Sequence, residues 1–297
     1  MATRCAQQRV PPKLQLLMLL ATAGAAASQA VDQTEGATTQ RFVILGAGRT
    51  GSNLFVHTLR EHPQVLVHKE VFNSAVGRGT QYLDHRVRAS FIHGQASSAR
   101  SPRHRREQPD KFLEYVWTHV HYSNETAKAV GFKIFPGQLS ESLVKKLLLD
   151  DESIKIIVLI REDVVAVLAS REAASQSRSW AGTVTEKPFT VREANVRAWG
   201  REYLRWYEFL TSELEQSQRP YLLVSYEQLD SDLLGVMRDI TQFLGVAPGT
   251  SFLPATNRQM VRPLEEMVIN YDQMLAVMEE AGVPRRLRFP VVAGEQR

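Results

Sequence analysis

Short apolar runs recur along the chain with the length of buried β-strands. They lie at residues 41–46, 65–67, 154–160 and 221–225, and a further strand is predicted at 129–135. The run at 154–160 is nearly continuous in Ile, Val and Leu. Such a run is typical of a central parallel strand that is covered on both faces.

Helical periodicity fills the intervals between these runs. It predicts helices at 52–62, 112–122 and 139–149. A long helix is predicted from Thr190, because Thr190 and Glu193 have the spacing of a capping box. The apolar face of that helix, which we expect in the core, carries Trp199, Tyr203, Trp206, Tyr207, Leu210 and Leu214.

A last helix is predicted to carry the apolar positions from Leu229 to Phe243 and to stop at Gly245, a natural C-terminal cap residue. Strands that alternate with helices indicate a layered α/β class. We therefore expect a mostly parallel central sheet flanked by helices.

The N-terminal 30 residues have the order of a secretory signal. Arg4, Arg9 and Lys13 precede an apolar run at 14–27, small residues follow, and the first 31 residues contain no acidic side chain. We expect localisation to the lumen of the secretory pathway or secretion, with an organelle transit peptide as the alternative. The run is shorter than the roughly 20 residues of a permanent membrane anchor.

Composition divides the rest of the chain. A flexible tether is predicted at 31–40, one domain at 41–285 and a C-terminal tail at 286–297. Within the domain, a Ser-, Arg- and Pro-rich stretch at about 93–110 predicts a mobile basic surface insertion. Its arginines are Arg100, Arg103, Arg105 and Arg106.

The net charge excludes no class of function, whereas the cysteine content limits the cross-links and metal clusters that the chain can form. The net charge of +4 and the pI near 9.2 fit a protein that holds an anionic ligand without requiring one. Cys5 is the single cysteine, so neither an intramolecular disulfide nor a thiolate metal cluster is available. His119 and His121 would point to different sides of a helix, and we expect no metal site.

The strand at 41–46 runs into a glycine-rich loop, Gly-Ala-Gly-Arg-Thr-Gly-Ser at 46–52, before the next helix. Such a loop turns backbone N–H groups toward a phosphate-like group at the helix N-terminus. The same residues spell G-x-G-x-x-G, and Glu70 follows about 20 residues later, as the ribose-binding acid of a dinucleotide fold would. Taken alone, the loop fits NAD equally well.

A nucleotide triphosphatase is a poorer match. Gly46 and Gly51 have the P-loop spacing, but Ser52 and Asn53 stand where Lys and Ser/Thr are needed. Arg49 lies inside the loop instead, and its planar guanidinium can pair with sulfonate and phosphate oxygens.

A second candidate anion site follows the strand at 154–160. Arg161 stands directly at the strand exit, and Asp163 is positioned to cap a helix that carries Ser170. A cation and a hydroxyl in this arrangement suit a second, separate phosphate. A surface arginine and a helical serine without a function are the alternative.

Together these residues resemble the sulfotransferase superfamily, and they are most similar to its bacterial carbohydrate, or trehalose-type, branch. The loop at 45–53 is similar to the 5′-phosphosulfate-binding loop, and 160–170 is similar to the 3′-phosphate-binding segment. The resemblance covers nearly all of residues 41–282. Further matching motifs are Glu70-Val71-Phe72, Tyr226-Glu227, Phe243-Leu244-Gly245, Arg258-Gln259, Pro263-Leu264 and Ile269-Asn270-Tyr271.

The resemblance implies a P-loop-like three-layer α/β fold, 3′-phosphoadenosine 5′-phosphosulfate (PAPS) as donor, and no metal. It implies transfer of a sulfuryl group to a hydroxyl or amine acceptor, such as a carbohydrate or a small metabolite, and no nucleic-acid partner. Lysine is common in the family where this chain has Arg258, and the insertion has no counterpart. The residues implied to bind the nucleotide are Arg49, Thr50, Gly51, Ser52, Asn53, Arg161, Ser170 and Arg258.

The resemblance also implies catalytic roles. Glu70 would be the general base, and His68, two residues earlier on the same side of an extended segment, would be the reserve base. Arg49 and Lys133 would stabilise charge on the bridging oxygen. An NAD-dependent oxidoreductase and a non-catalytic glycan-binding protein are the alternative functions.

Overall fold

The structure is a computed structural model. It describes residues 39–73, 82–87, 102–118, 121–122, 125–178, 180, 187–249, 252 and 262–290. The predicted leader, residues 93–101 of the predicted insertion, His119 and Arg258 lie outside these ranges. Among the described residues, no helix combines the length and apolar character that a membrane span needs.

Five parallel strands of the described chain form the central sheet, in the order β2-β5-β1-β6-β7. They are β1 (Gln40–Leu45), β2 (Val65–Glu70), β5 (Ala129–Ile134), β6 (Ile154–Ile160) and β7 (Tyr221–Ser225). β3 (His121–Tyr122) and β4 (Glu125–Thr126) form a separate antiparallel pair. All the predicted strands are confirmed, with ends that differ by at most three residues.

Helices connect and cover these strands. They are α1 (Ser52–Arg60), α2 (Pro102–Glu107), α3 (Pro109–Thr118), α4 (Glu141–Val144), α5 (Val164–Ser177), α6 (Glu193–Ser217), α7 (Tyr226–Ser231), α8 (Leu233–Leu244), α9 (Leu264–Met267) and α10 (Tyr271–Glu280). A π-helical turn, Lys145–Leu149, continues α4.

The sheet has a hydrophobic core on each face because side chains alternate along every strand. Phe42 and Ile44 of β1 face one cluster, which includes Phe55 of α1, whereas Val43 and Leu45 face the other. Each such fully buried side chain stabilises the fold by roughly 1.5–3 kcal/mol. The loop between β1 and α1 occupies the place of a P-loop, so the predicted P-loop-like three-layer α/β fold is confirmed.

The long aromatic helix near Thr190 is confirmed, but the predicted capping box of Thr190 and Glu193 is wrong. Its aromatic face is buried, with Trp199 only partly so. The helix begins at Glu193, and its N-cap residue Arg192 makes no side-chain cap. The buried Glu172 carboxylate instead accepts hydrogen bonds from Arg192 Nε (2.8 Å) and Asn195 Nδ2 (2.7 Å), and these bonds tie the helix start to α5.

The last predicted helix is divided in two. Asp232 interrupts it and caps α8 by accepting a hydrogen bond from Gly235 N at 2.9 Å. Gly245, with φ of 70°, ends α8 as predicted. The predicted helix at 112–122 ends at Thr118, and residues 121–122 form β3.

Part of the predicted mobile insertion is ordered. Residues 102–107 form α2, and Arg105 is only 3% exposed. Arg105 Nη1 donates to Val71 O at 2.9 Å, and its guanidinium lies over the Tyr82 ring. The expectation of a solvated loop is therefore wrong for Arg105, which joins the insertion to the segment just after β2.

The domain also continues past the predicted boundary at residue 285. Arg286 pairs with Glu162 at 2.8 Å, and Leu287 N donates to Glu162 O at 2.8 Å. Phe289 is buried against Tyr207 and Tyr221. The beginning of the predicted tail is therefore part of the packed domain.

Candidate active site

The glycine-rich loop forms a candidate site for an anion at the start of α1. Gly51, with φ of 77°, is the N-cap residue, provides no side-chain cap, and the first turn contains no acidic residue. The helix N–H groups and the positive end of its dipole are therefore available to a negatively charged ligand. Glycine is required at position 51, because a Cβ atom there would overlap the ring of Tyr226.

Thr50 stabilises the conformation of the loop. Its side chain is fully buried, and Oγ1 donates to Ala47 O at 2.8 Å. This bond fixes the turn from within. Any contact of Thr50 with a ligand would therefore come from its backbone.

The side chains of Arg49 and Arg161 lie next to each other beside the glycine-rich loop. Arg49 has a left-handed backbone (φ 71°), and its Nε donates to Ser170 Oγ at 2.9 Å. Arg161 Nη1 lies 3.4 Å from Arg49 O, and its guanidinium stacks over the Tyr226 ring at 4.5 Å. The residues of the two predicted phosphate sites thus lie side by side.

The electrostatics of this pair favour an anion. Burial, together with the nearby charge of Arg161, lowers the pKa of Arg49 to about 10. Within the described residues, neither arginine pairs with a carboxylate, and Arg161 Nε is buried without a hydrogen-bond partner. A ligand with phosphate or sulfate oxygens would supply both missing interactions.

Lys133 of β5 provides the ammonium group that the loop itself lacks. Its side chain is 1% exposed, and Nζ donates to Ser52 Oγ (3.1 Å) and Asn53 Oδ1 (2.8 Å). Ser52 stands where a P-loop has its lysine, and the neighbouring strand β5 places the Lys133 ammonium group beside it. Lys133 therefore belongs to the loop's anion site.

Glu70 lies on the other side of Lys133. Its Oε1 is 3.3 Å from Lys133 Nζ, and its side chain is 22% exposed. Oε2 accepts hydrogen bonds from Asn73 Nδ2 (2.8 Å) and Gln138 Nε2 (2.9 Å). One ammonium group thus links the glycine loop to an oriented carboxylate.

These groups line a cavity of about 950 Å³ at the carboxyl edge of the sheet. Gly48, Arg49, Ser52 and Asn53 form one wall, and Glu70 and Lys133 lie beside them. Gln138, Arg171, Trp180, Trp199 and Glu202 also line the cavity. A carboxylate, an ammonium group and an anion-binding loop in one cavity fit transfer of an anionic group.

The family comparison agrees with this chemistry. The sequence profile of the Sulfotransferase family matches residues 41–248 of this chain. The chain belongs to the sulfotransferase family. The resemblance seen in its motifs is therefore confirmed, and the protein is a sulfotransferase enzyme.

Two relatives of this sulfotransferase are Nodulation protein H sequences. One from Rhizobium meliloti strain 1021 is 27% identical over 249 residues, which cover 79% of this chain and 90% of that protein. The other, from Rhizobium meliloti, is 25% identical over 248 residues and covers 78% and 89%, respectively.

Solved sulfotransferase structures also align with the chain. A sulfotransferase from Alicyclobacillus acidocaldarius is 18% identical, with a TM-score of 0.41, over 82% of this chain and 95% of the other. The sulfotransferase domain from the curacin biosynthetic pathway is 12% identical, with a TM-score of 0.46, over 85% and 94%.

The strand order of this sulfotransferase argues against the dinucleotide interpretation of its glycine loop. In a dinucleotide fold the ribose-binding acid ends the strand that neighbours the first strand. Here β5 lies between β1 and β2, and Glu70 contacts Lys133 of β5. An NAD-dependent oxidoreductase is not favoured.

The prediction that His68 shares a side with Glu70 is wrong. A β-bulge shifts the register so that His68 pairs with Phe132 and Glu70 with Lys133, two consecutive residues of β5. His68 and Glu70 therefore face opposite sides of the sheet. His68 is fully buried, and its Nδ1 accepts a hydrogen bond from Asp84 N at 3.0 Å.

Sequence reasoning missed Gln138, Asn73 and Tyr226 as parts of this site. A signal existed for Gln138, because it follows the strand at 129–135, and polar residues just beyond parallel strands gather at one edge of the sheet. The contact of Tyr226 with Gly51 had no such signal.

Among the described residues, no group of His, Cys, Asp and Glu side chains could hold a metal ion.

Proposed function

We propose that this sulfotransferase uses PAPS as donor and transfers its sulfuryl group to a hydroxyl or amine acceptor beside Glu70. The observation that carries this proposal is the position of Lys133, which contacts the start of α1 on one side and Glu70 on the other. A donor on the loop and an acceptor at the carboxylate would meet at this ammonium group.

The two cationic sites support a nucleotide with phosphates at both ends. The loop amides and Arg49 would hold the 5′-phosphosulfate, whereas Arg161 and Ser170 would hold the 3′-phosphate. The bond from Arg49 Nε to Ser170 Oγ, 2.9 Å, connects the two sites directly. Arginine suits both, since its planar fork matches phosphate and sulfate oxygens.

In the proposed reaction the sulfur forms a bond to the acceptor oxygen or nitrogen while its bond to the bridging phosphate oxygen breaks. Glu70 takes the proton that the acceptor loses. Lys133 and Arg49 stabilise the negative charge that grows on the departing phosphate. By analogy with phosphoryl transfer, the transition state is loose, so positioning and charge stabilisation supply most of the catalysis.

For the acceptor we propose a carbohydrate or another polar metabolite. The lining of the cavity includes Trp180 and Trp199 together with Arg171, Glu202 and Gln138. Arg171 Nη1 pairs with Glu202 at 2.5 Å, and the Arg171 guanidinium carbon lies 4.6 Å from the centre of the Trp199 ring. Flat apolar faces beside hydrogen-bonding groups suit a ligand that has both apolar surface and hydroxyl groups.

A thermal-shift series tests the donor. Adenosine 3′,5′-bisphosphate, the product of the donor, should raise the melting temperature, since a ligand at 100 times its Kd stabilises the folded state by about 2.7 kcal/mol. Stabilisation by NAD⁺ instead would support the oxidoreductase. Stabilisation by heparin alone would support the glycan-binding alternative.

The acceptor is tested by incubating the enzyme with PAPS and a panel of oligosaccharides, sugar alcohols, phenols and tyrosine peptides. Mass spectrometry should show an added sulfuryl group on a carbohydrate or metabolite. Sulfation confined to the tyrosine peptides would contradict the proposed acceptor class.

Loss of the proton of Lys133 should lower the activity of the enzyme at high pH. Burial lowers the pKa of Lys133 to about 8, although the charge of Glu70 acts in the opposite direction. Lys133 is therefore cationic below about pH 8 and loses its charge above it. We expect kcat/KM for PAPS, which reports the free enzyme, to fall as the pH rises through about 8.

Lys133→Arg is the matched variant, because arginine is more basic than lysine and keeps its charge at the pH where Lys133 loses its own. Its pH profile, measured between about pH 6 and 10, should lack this fall in kcat/KM even if its overall rate is lower. An unchanged fall in the variant would show that another group titrates there.

A further inference from the structure

The segment after β5 forms a tight turn at the edge of the cavity. Gln138 N donates to Phe135 O at 3.3 Å, and Gly137 has φ of 79°. Proline at the second position and glycine with positive φ at the third are the sequence of a type II turn. The Pro136-Gly137 pair therefore determines where the Gln138 side chain begins.

Both ends of the Gln138 amide are used. Its Oε1 accepts a hydrogen bond from Phe135 N at 3.2 Å, and its Nε2 donates to Glu70 Oε2 at 2.9 Å. An amide has one acceptor end and one donor end, so the first bond fixes the direction of the second. Gln138 thus always offers a donor to Glu70.

The two oxygens of Glu70 have different surroundings as a result. Oε2 accepts from Gln138 Nε2 and from Asn73 Nδ2 at 2.8 Å, and two amide donors occupy both lone-pair directions of one oxygen. Oε1 faces Lys133 Nζ at 3.3 Å and retains a lone pair. Amide donors cannot receive a proton, so the acceptor's proton has one oxygen open to it.

We infer that Gln138 is a positioning residue for the transfer reaction, which fixes the Glu70 carboxylate and leaves Oε1 as the atom that receives the acceptor's proton. This inference rests on the proposed role of Glu70 as general base. Gln138 acts through Glu70 and not on the donor, since its side-chain bonds go to Glu70 and to the turn.

Gln138→Leu tests the inference, because leucine has a similar volume and no hydrogen-bonding group. We expect kcat to fall roughly tenfold, the equivalent of one hydrogen bond to a charged group. The Kd for adenosine 3′,5′-bisphosphate, measured by calorimetry, should stay within about twofold.

Gln216→Leu is the matched control. Gln216 is an exposed glutamine near the end of α6 that donates to Ser212 Oγ, and its loss should leave kcat unchanged. Gln138→Asn is the second variant. It keeps the amide but shortens the side chain by one methylene, so it should lose rate like Gln138→Leu while keeping the melting temperature of the parent.

A double-mutant cycle tests the positioning role of Gln138 separately from the proposed role of Glu70 as general base. In the Glu70→Gln background, Gln138→Leu should cause no further loss, because the group that it positions is already inactive. A further tenfold loss there, or a wild-type kcat in Gln138→Leu itself, would overturn the positioning role. A Glu70→Gln enzyme with full turnover would instead overturn the base assignment.

Discussion

Glu70→Gln should lower kcat by about 10²-fold or more and leave the affinity for adenosine 3′,5′-bisphosphate nearly unchanged. The substitution keeps the shape of the side chain but removes its ability to take a proton, and a general base typically contributes 10²- to 10⁴-fold. Glu70 is not part of the glycine-rich loop, since Lys133 lies between the Glu70 carboxylate and Ser52 of the loop.

Steady-state kinetics with PAPS and the best acceptor of the panel give kcat, and calorimetry with the bisphosphate gives the affinity. Glu61→Gln makes the same chemical change at an exposed residue just after α1 and should behave like the parent enzyme. A Glu70→Gln enzyme with normal turnover would remove this carboxylate from the mechanism.

Arg161→Ala should weaken binding of adenosine 3′,5′-bisphosphate by about 1.5–3 kcal/mol, which is roughly a 10- to 150-fold rise in Kd. The guanidinium of Arg161 rests on the Tyr226 ring and, among the described residues, pairs with no carboxylate. Its loss leaves the proposed 3′-phosphate without its main cation.

The effect should depend on the 3′-phosphate. We expect the affinity for adenosine 5′-monophosphate, which lacks that group, to change little in Arg161→Ala. Arg286→Ala removes a nearby exposed arginine that pairs with Glu162 and should leave both affinities intact. An equal loss for both nucleotides would assign Arg161 to the 5′ end of the donor, and no loss for either would exclude it from the site.

The fold could be predicted from the sequence where the determinants are local. The run at 154–160 matched β6 residue for residue, because a strand covered on both faces is apolar at nearly every position. The cap at Gly245 was also predicted, since it depends on one residue's freedom to adopt positive φ. The capping box predicted at Thr190 was wrong, because hydrogen bonds from Arg192 and Asn195 to Glu172 determine where α6 begins. Glu172 is distant in sequence, so local spacing does not reveal these bonds.

The candidate site was predictable only in part, for the same reason. Arg49 and Arg161 follow strand ends, and parallel strands gather such positions at one edge. Ser170 lies in α5, the helix that follows β6. The relation of Lys133 to Ser52 depends on β5 pairing beside β1, which sequence spacing does not reveal. His68 was misplaced because a β-bulge reverses the alternation on which the prediction depended.

The pairing of β6 with β1 has a consequence for biogenesis. A nascent chain that ended before residue 154 would contain the glycine-rich loop and Lys133, yet it would lack Arg161 of the β6 exit and Tyr226, whose ring packs on Gly51. The proposed nucleotide site would therefore be complete only when the second half of the polypeptide has been synthesised and folded. Nucleotide affinity during refolding would thus report that the last sheet strands have docked, later than any local helix forms.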